Sequence, residues 1–445
     1  MNSIGLTITV LLSLTVLVAP RVVAALAVMA GVCYVTQGQQ YYVISFHFTA
    51  IRIIVLAGIV RSVLRGGFRG LQFNNLDKVV IGYAISLLCI YTARERTTDA
   101  LVYMLGCAYD IILPYFCFRC LLTNLEDAQA FVRGLAFLII PYALLLILES
   151  VTYRNPFSSM GGQGWDEIVM REGRIRCVAG FRGPHTAGFF GATLIPLFFA
   201  LWFGGKARFS AIVGMAAGLI VVYTTNSSGP LTAFVSGVFA LLFWRFRYDM
   251  QLVRRGIVIS LIGLHLIMKA PVWYIFYKIS HVLGGDGWTR SYVIDLTIRH
   301  FFEWFLLGTK NTLRWVWDDP TLVGETDLTD QFVGTALSGG LLSLIFFILI
   351  FSRGYQRLGL AMNAAREHSA EAEKFLWCVG ATLFGHIMAQ FSCGYFDQMG
   401  VAWWGFIALI AGATSGVFEQ ATDSEAADLA AEAAMGDDDY LKRPA

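Results

Sequence analysis

Charge is what this chain has least of. Only 14% of its residues are charged and 57% are hydrophobic, against about 25% and about 45–50% in soluble globular domains. With a mean hydropathy of +0.62, the composition excludes an ordinary water-soluble domain and predicts an all-α, polytopic integral membrane protein. Other absences narrow the chemistry. No GxxxxGK[ST] phosphate loop is present, which argues against ATP-driven transport by this chain. No His, Cys and carboxylate cluster has metal-ligand spacing, so neither metal nor cofactor is expected. The eight cysteines are scattered and mostly lie inside apolar windows. Cys117 and Cys120 have CxxC spacing, but they end an apolar helix without the βαβ context of a redox site and read as structural. No basic segment precedes the first apolar run, and Pro20-Arg21 leads into more apolar sequence. The N-terminus therefore reads as a retained span rather than a cleaved signal peptide. The basic residues form no single face and the net charge is +2, so nucleic acid is not an expected partner.

Long apolar windows are what the chain has in abundance. They fall near 4–19, 22–37, 43–64, 78–92, 99–118, 130–151, 185–203, 209–224, 231–246, 256–272, 331–352, 374–393 and 398–417. About 12–13 membrane helices are expected from windows of this length. They form one domain over 1–417, with two long loops, 152–184 and 271–330. The acidic, alanine-rich tail 418–445 is expected to be disordered in the cytoplasm. The positive-inside rule orients the bundle. Nineteen Lys and Arg fall in the loops on one side and twelve on the other. The first side is cytoplasmic on that count, and both long loops face outward.

Those two outward loops hold ten of the 33 Lys and Arg. Charge placed against the orientation rule points to an anionic ligand. In the first loop, Arg176 and Arg182 flank Gly180, and Gly183-Pro184-His185 leads straight into an apolar helix. Arginines beside a helix N-terminus form an anion site; the alternative is an interfacial loop meeting lipid headgroups. The second loop carries Trp288-Thr-Arg290 and continues through Arg299, His300 and Trp304. The mixed pattern over 288–304 predicts an amphipathic helix near the interface. The loop ends on Asp330, where the chain re-enters the membrane. Desolvation there raises a carboxyl pKa and suits it to accept a proton, while the same residue also suits a helix N-cap.

Taken together, residues 170 to 352 resemble the O-antigen ligase and O-antigen polymerase superfamily of bacterial membrane glycosyltransferases. Arg176 followed by Pro184 before an apolar helix matches the family's Arg and Pro spacing. Ser227-Ser228-Gly229-Pro230 stands where the family has a Ser-Arg-Gly turn, and Trp288-Thr-Arg290 where its large outer loop begins. Thr329 and Asp330 stand where it has a His-Asn pair ahead of Gly340. Two departures bear on function. The turn lacks its Arg, so Ser228 takes no cationic role. The His is absent, which favours polymerase over ligase.

The resemblance implies transfer of a polyprenyl-diphosphate-linked oligosaccharide to an acceptor sugar on the outer face of the bacterial inner membrane, with inversion at the anomeric carbon. Other polysaccharide-assembly proteins and membrane lipid are the implied partners. Arg176, Arg182 and Arg290 would neutralise the leaving diphosphate. Asp330 is the first candidate for the base, and His185 and His300 are the second. Arg52, in the middle of a predicted span, either reaches the diphosphate or pairs with Asp110 inside the bundle. An O-antigen ligase acting on lipid A core is the same-class alternative, and a polyprenyl-linked oligosaccharide flippase or secondary transporter is the alternative of another class.

Overall fold

The computed structural model describes residues 2–43, 46–160, 169–171, 173–283, 287–310, 312, 314–315 and 330–440. The chain is 80% helical with almost no sheet, which settles the class as all-α. In order, the helices are α1 (Ser3–Val18), α2 (Arg21–Tyr34), α3 (Ala50–Leu64), α4 (Asn75–Glu95), α5 (Thr98–Leu121), α6 (Leu125–Thr152), α7 (Pro184–Phe199) and α8 (Arg208–Thr224). They continue with α9 (Ser228–Leu242), α10 (Met250–Ile267), α11 (Ile275–Leu283), α12 (Gly287–Arg299), α13 (Phe301–Trp304), α14 (Gln331–Ala365), α15 (Ala370–Gln390) and α16 (Asp397–Tyr440). Among the described residues, eight helices are long and apolar enough to cross a membrane by length and composition.

That is fewer than the 12–13 expected, three further apolar helices, Ser3–Val18, Arg21–Tyr34 and Arg208–Thr224, being shorter, and two segments differ in structure from the sequence expectation. The window 43–64 is not helical throughout: Gln40–Val43 pairs antiparallel with Phe46–Thr49, and α3 begins only at Ala50, capped by the Thr49 hydroxyl. Tyr41, Tyr42, Val43, Phe46, Phe48 and Thr49 are strand-favouring residues, and a close antiparallel pairing satisfies their backbone. The acidic tail, expected to be disordered, continues the last helix as far as Tyr440. Its repeated alanines carry the highest intrinsic helix propensity, which favours continuation of the helix.

A large cluster of buried side chains, including Tyr115, Tyr142, Phe181, Phe189, Phe198 and Trp403, runs through the bundle, and a smaller one with Leu296, Trp304, Trp315 and Leu337 packs the second outer loop on α14. The exterior is apolar as well. Leu11 and Leu14 of α1, Leu148 of α6, Leu219 of α8, Ile259 of α10 and Ile345 of α14 all point outward and exposed. Apolar surface of that extent needs an apolar surrounding or a partner to cover it.

Small residues set the geometry around the two outer loops. α7 packs on both α8 and α9. A β-carbon at Gly188 would lie 2.5 Å from Pro230 and 2.6 Å from the Thr225 hydroxyl, so only glycine lets α7 approach the α8–α9 turn this closely. Farther along, α14 breaks at Gly340, whose φ of 63° and ψ of −170° interrupt the helix. That conformation is nearly restricted to glycine. The groups freed by the break are taken up by the second outer loop. Leu341 donates its N–H to the Phe305 carbonyl at 2.8 Å, and the Leu337 carbonyl accepts from Thr309 N–H at 2.8 Å and from Arg94 at 2.7 Å. The half-helix Gln331–Gly339 is thus fixed to the loop that precedes it.

Candidate functional site

Arg176 is positioned by a loop bonded to three helices. Glu149, buried near the end of α6, accepts the backbone N–H groups of Val178 at 3.0 Å and Ala179 at 2.8 Å. Gln398 of α16 donates to the Gly180 carbonyl at 2.7 Å, and Cys177 donates its N–H to the Thr224 carbonyl at 3.1 Å. These bonds hold Ala179 at a φ of 49°, a left-handed conformation that a non-glycine residue keeps only when its surroundings fix it. Gly180 passes against α2, where a β-carbon would lie 2.9 Å from the Cys33 carbonyl oxygen.

From this loop the Arg176 guanidinium donates to the Ser227 hydroxyl at 3.0 Å. Ser227 is the N-cap residue of α9, yet its side chain makes no capping bond to the helix. Among the described residues no carboxylate pairs with Arg176, its Nε is buried without a hydrogen-bond partner, and burial followed by the charge of Arg171 lowers its pKa. Arg290, on α12, approaches the same turn. Its Nη2 lies 3.5 Å from where a β-carbon on Gly229 would stand. The turn that lacks an arginine of its own is therefore approached by two, one from each outer loop, beside the partial positive charge of a helix N-terminus.

Asp330 completes the group. It caps α14, its Oδ1 accepting N–H from Phe332 at 2.7 Å and Val333 at 3.1 Å. Its Oδ2 is buried without a hydrogen-bond partner. Burial pushes the carboxyl up to about 7, against the lowering effect of the two amides and of nearby Arg290. The two roles expected of this position are thus divided between its two oxygens: one caps the helix, and the other is open to take a proton.

The remaining candidates stand elsewhere. Arg52 donates from Nε to Asp110 at 2.7 Å, with its Nη2 at 2.5 Å from the other carboxylate oxygen. Arg182 lies 3.7 Å from Asp397 and over the Phe396 ring, and Arg52 and Asp110 are close enough to act electrostatically on Asp397. Both arginines expected to serve a diphosphate are thus met by carboxylates of the chain. His300 stacks on Trp315 at 4.6 Å and bonds Glu303 at 2.9 Å. Its hydrogen bond, with those of Trp315 and Arg314, holds Glu303 down at about 2. His185 sits in the first turn of α7 with its ring against Gly183. Thr329 lies outside the described residues.

Sequence reasoning missed Glu149, Gln398, Arg94 and the accepting role of Ser227. For Glu149 the signal was present, since an acid embedded in the apolar run Leu144–Val151 needs a specific partner. No protein-family model matches this chain, and no curated protein matches it at a significant level. The arrangement itself can bind an anion at the start of α9 and accept a proton a short distance away.

Proposed function

We propose that this chain is a multi-pass protein of the bacterial inner membrane and a glycan-polymerase-type glycosyltransferase acting on polyprenyl-diphosphate-linked repeat units at its outer face. The apolar exterior and the spans support the membrane placement. The observation that carries the chemistry is the approach of Arg176 and Arg290 to the start of α9, with Asp330 within electrostatic reach of Arg290.

The step balances with the residues present. An acceptor hydroxyl attacks the anomeric carbon of the lipid-linked sugar, and the bond from that carbon to the diphosphate oxygen breaks. The diphosphate leaves with the electron pair, its charge met by Arg176, Arg290 and the first amides of α9. The acceptor's proton passes to the Asp330 Oδ2. Diphosphate is a good leaving group, so the step as written uses neither metal nor ATP. Inversion at the anomeric carbon follows from a single displacement.

The decisive experiment gives the purified protein only a polyprenyl-diphosphate-linked repeat unit. A ladder of elongated products is expected. A single product formed only when lipid A core is added replaces polymerase by ligase. Transmembrane movement of the substrate without any bond formation replaces enzyme by flippase.

A further inference from the structure

At Gly340 the chain does more than bend; it reverses. The Phe332 ring lies 5.2 Å from that of Phe347 and 5.7 Å from that of Phe351. A straight helix would hold Phe332 and Phe347, fifteen residues apart, roughly 22 Å from each other. Tyr83 spans the fold, its ring 5.3 Å from Phe347 and its hydroxyl 3.2 Å from that of Thr335. Gln331–Gly339 therefore runs back alongside the residues after the break, and Asp330 at its head is carried into the bundle. The first residues of this half-helix meet the turn between α15 and α16. Phe332 stacks on Phe391 at 4.4 Å, and the Gln331 side-chain oxygen accepts the Tyr395 N–H at 2.7 Å.

The same turn reaches the start of α9. α9 packs on α15, and a β-carbon at Gly237 would lie 3.8 Å from the Ala381 carbonyl oxygen, one at Gly385 3.4 Å from that of Ala233. The two pairs run in opposite directions, so the helices are antiparallel and residue 390 stands level with Ser228. Phe189 joins the two places, 2.8 Å from a β-carbon on Gly229 and 6.4 Å, ring centre to ring centre, from Tyr395.

Gln390, the last residue of α15, stands at this junction. It is 0% exposed, and among the described residues neither its Nε2 nor its Oε1 has a hydrogen-bond partner. Gln398, also buried, shows the ordinary case: its Nε2 donates to the Val35 and Gly180 carbonyls, and its Oε1 accepts from Gln37. A buried amide with both ends unmet is rare in a folded interior. The Asp330 Oδ2 and the Arg176 Nε are unmet as well.

The partner such an amide needs must both accept and donate. Ionised diphosphate oxygens only accept and a hydrocarbon chain does neither, whereas a sugar hydroxyl does both. We infer that Gln390 binds the sugar joined to the donor's diphosphate, its Nε2 and Oε1 each meeting a ring hydroxyl while Arg176 and Arg290 hold the diphosphate. This inference rests on the function proposed above and adds to it the residue that recognises the sugar.

The test measures binding rather than turnover, with the full-length protein in lipid nanodiscs and two probes: polyprenyl diphosphate, and the same lipid bearing a single glucose. Wild type is expected to hold the glucose-bearing lipid about 10–100-fold more tightly. Gln390→Met keeps the length of the side chain, removes both polar ends and is expected to bind the two lipids alike, with Kd for the bare lipid unchanged. Its unfolding temperature stays level or rises, because the amide has no bond within the chain for methionine to lose. A sugar preference that survives Gln390→Met, or that wild type never shows, overturns the inference. So does a lowered unfolding temperature, which would make the amide part of the fold's own bonding. A second arm needs no variant and uses lipids whose glucose has one ring hydroxyl replaced by hydrogen, position by position. Wild type is expected to lose its preference at one or two positions, and equal binding of all of them overturns the inference. Binding that depends on Gln390 and on the sugar, without elongation, removes the polymerase reading and leaves the sugar site standing; elongation without that dependence does the reverse. Binding of neither lipid removes both.

Discussion

Two clusters of cations in this molecule have opposite partners. Arg52 and Arg182 are each met by a carboxylate supplied by the chain, Asp110 and Asp397. At the start of α9, Arg176 donates to a serine hydroxyl, Arg290 approaches Gly229, and Asp330, within electrostatic reach of Arg290, has burial raising its pKa to about 7. The first arrangement neutralises itself. In the second, among the described residues no carboxylate pairs with Arg176, and a half-buried charge so placed is costly unless a ligand compensates it. On the function proposed above, the contrast assigns Arg52 and Arg182 a structural role and Arg176 and Arg290 a ligand-binding one, a distinction that residue type and loop position alone do not make.

The largest expected effect is on proton transfer. Asp330→Asn keeps the helix cap, because asparagine caps as well as aspartate, but removes the base. Turnover is expected to fall about 10²–10⁴-fold with donor affinity little changed. The sign of the pH dependence follows from the raised carboxyl. Below about 7 the acid is protonated and cannot accept a proton, so the rate climbs as pH rises through about 7 and then levels. Stability moves the other way, falling as pH rises from the ordinary carboxylate range toward about 7, because the folded state holds the proton more tightly than the unfolded chain. Rate against pH for the wild type and Asp330→Asn checks the first statement, and unfolding of the two against pH checks the second. Survival of the acidic limb in the variant would move the base elsewhere.

Arg290→Ala and Arg176→Ala come next. Each removes one donor from the leaving diphosphate, and a loss of about 10²–10³-fold in kcat/KM is expected from the cost of removing one charge-stabilising donor. Lysine at either position restores part of the rate, since it keeps the charge and loses the planar fork. Measuring kcat/KM for alanine and lysine variants alongside folded yield distinguishes this from a structural defect: a fall in yield that accounts for the whole fall in rate would make these arginines structural, like the other pair.

How much of this was legible beforehand depends on the range of the signal. The helices were legible because apolar windows are a local property, and all thirteen windows contain a helix. The exception at 43–49 was local too: strand-favouring aromatics sat inside an apolar window, and hydropathy alone does not tell the two apart. For the site, the sequence supplied residues but not their grouping. Arg176 and Arg290 are far apart in the chain and approach one turn, against which Gly188 lets α7 pack, while Asp330 heads the half-helix Gln331–Gly339 that the break at Gly340 ties to the second loop. Arg182 is six residues from Arg176, and nothing local distinguishes them. What separates them is Asp397, which arrives from more than two hundred residues away.

The smallest expected effect falls on the self-neutralised cluster, and it tests the comparison most sharply. Arg182 is 63% exposed and its pair with Asp397 spans 3.7 Å. Exposed pairs contribute about 0–1 kcal/mol, so Arg182→Ala is expected to leave kcat/KM within about fivefold of wild type. Arg52→Ala differs in kind. It strands the Asp110 carboxylate, so folded yield falls, and replacing Asp110 as well by alanine recovers much of it, because an unpaired charge costs more than an absent pair. Turnover per folded molecule stays level across Arg52→Ala and the double variant if the pair is structural. A drop in turnover as large as that of Arg290→Ala, not recovered by the second substitution, would bring Arg52 back to the diphosphate and dissolve the distinction between the two clusters.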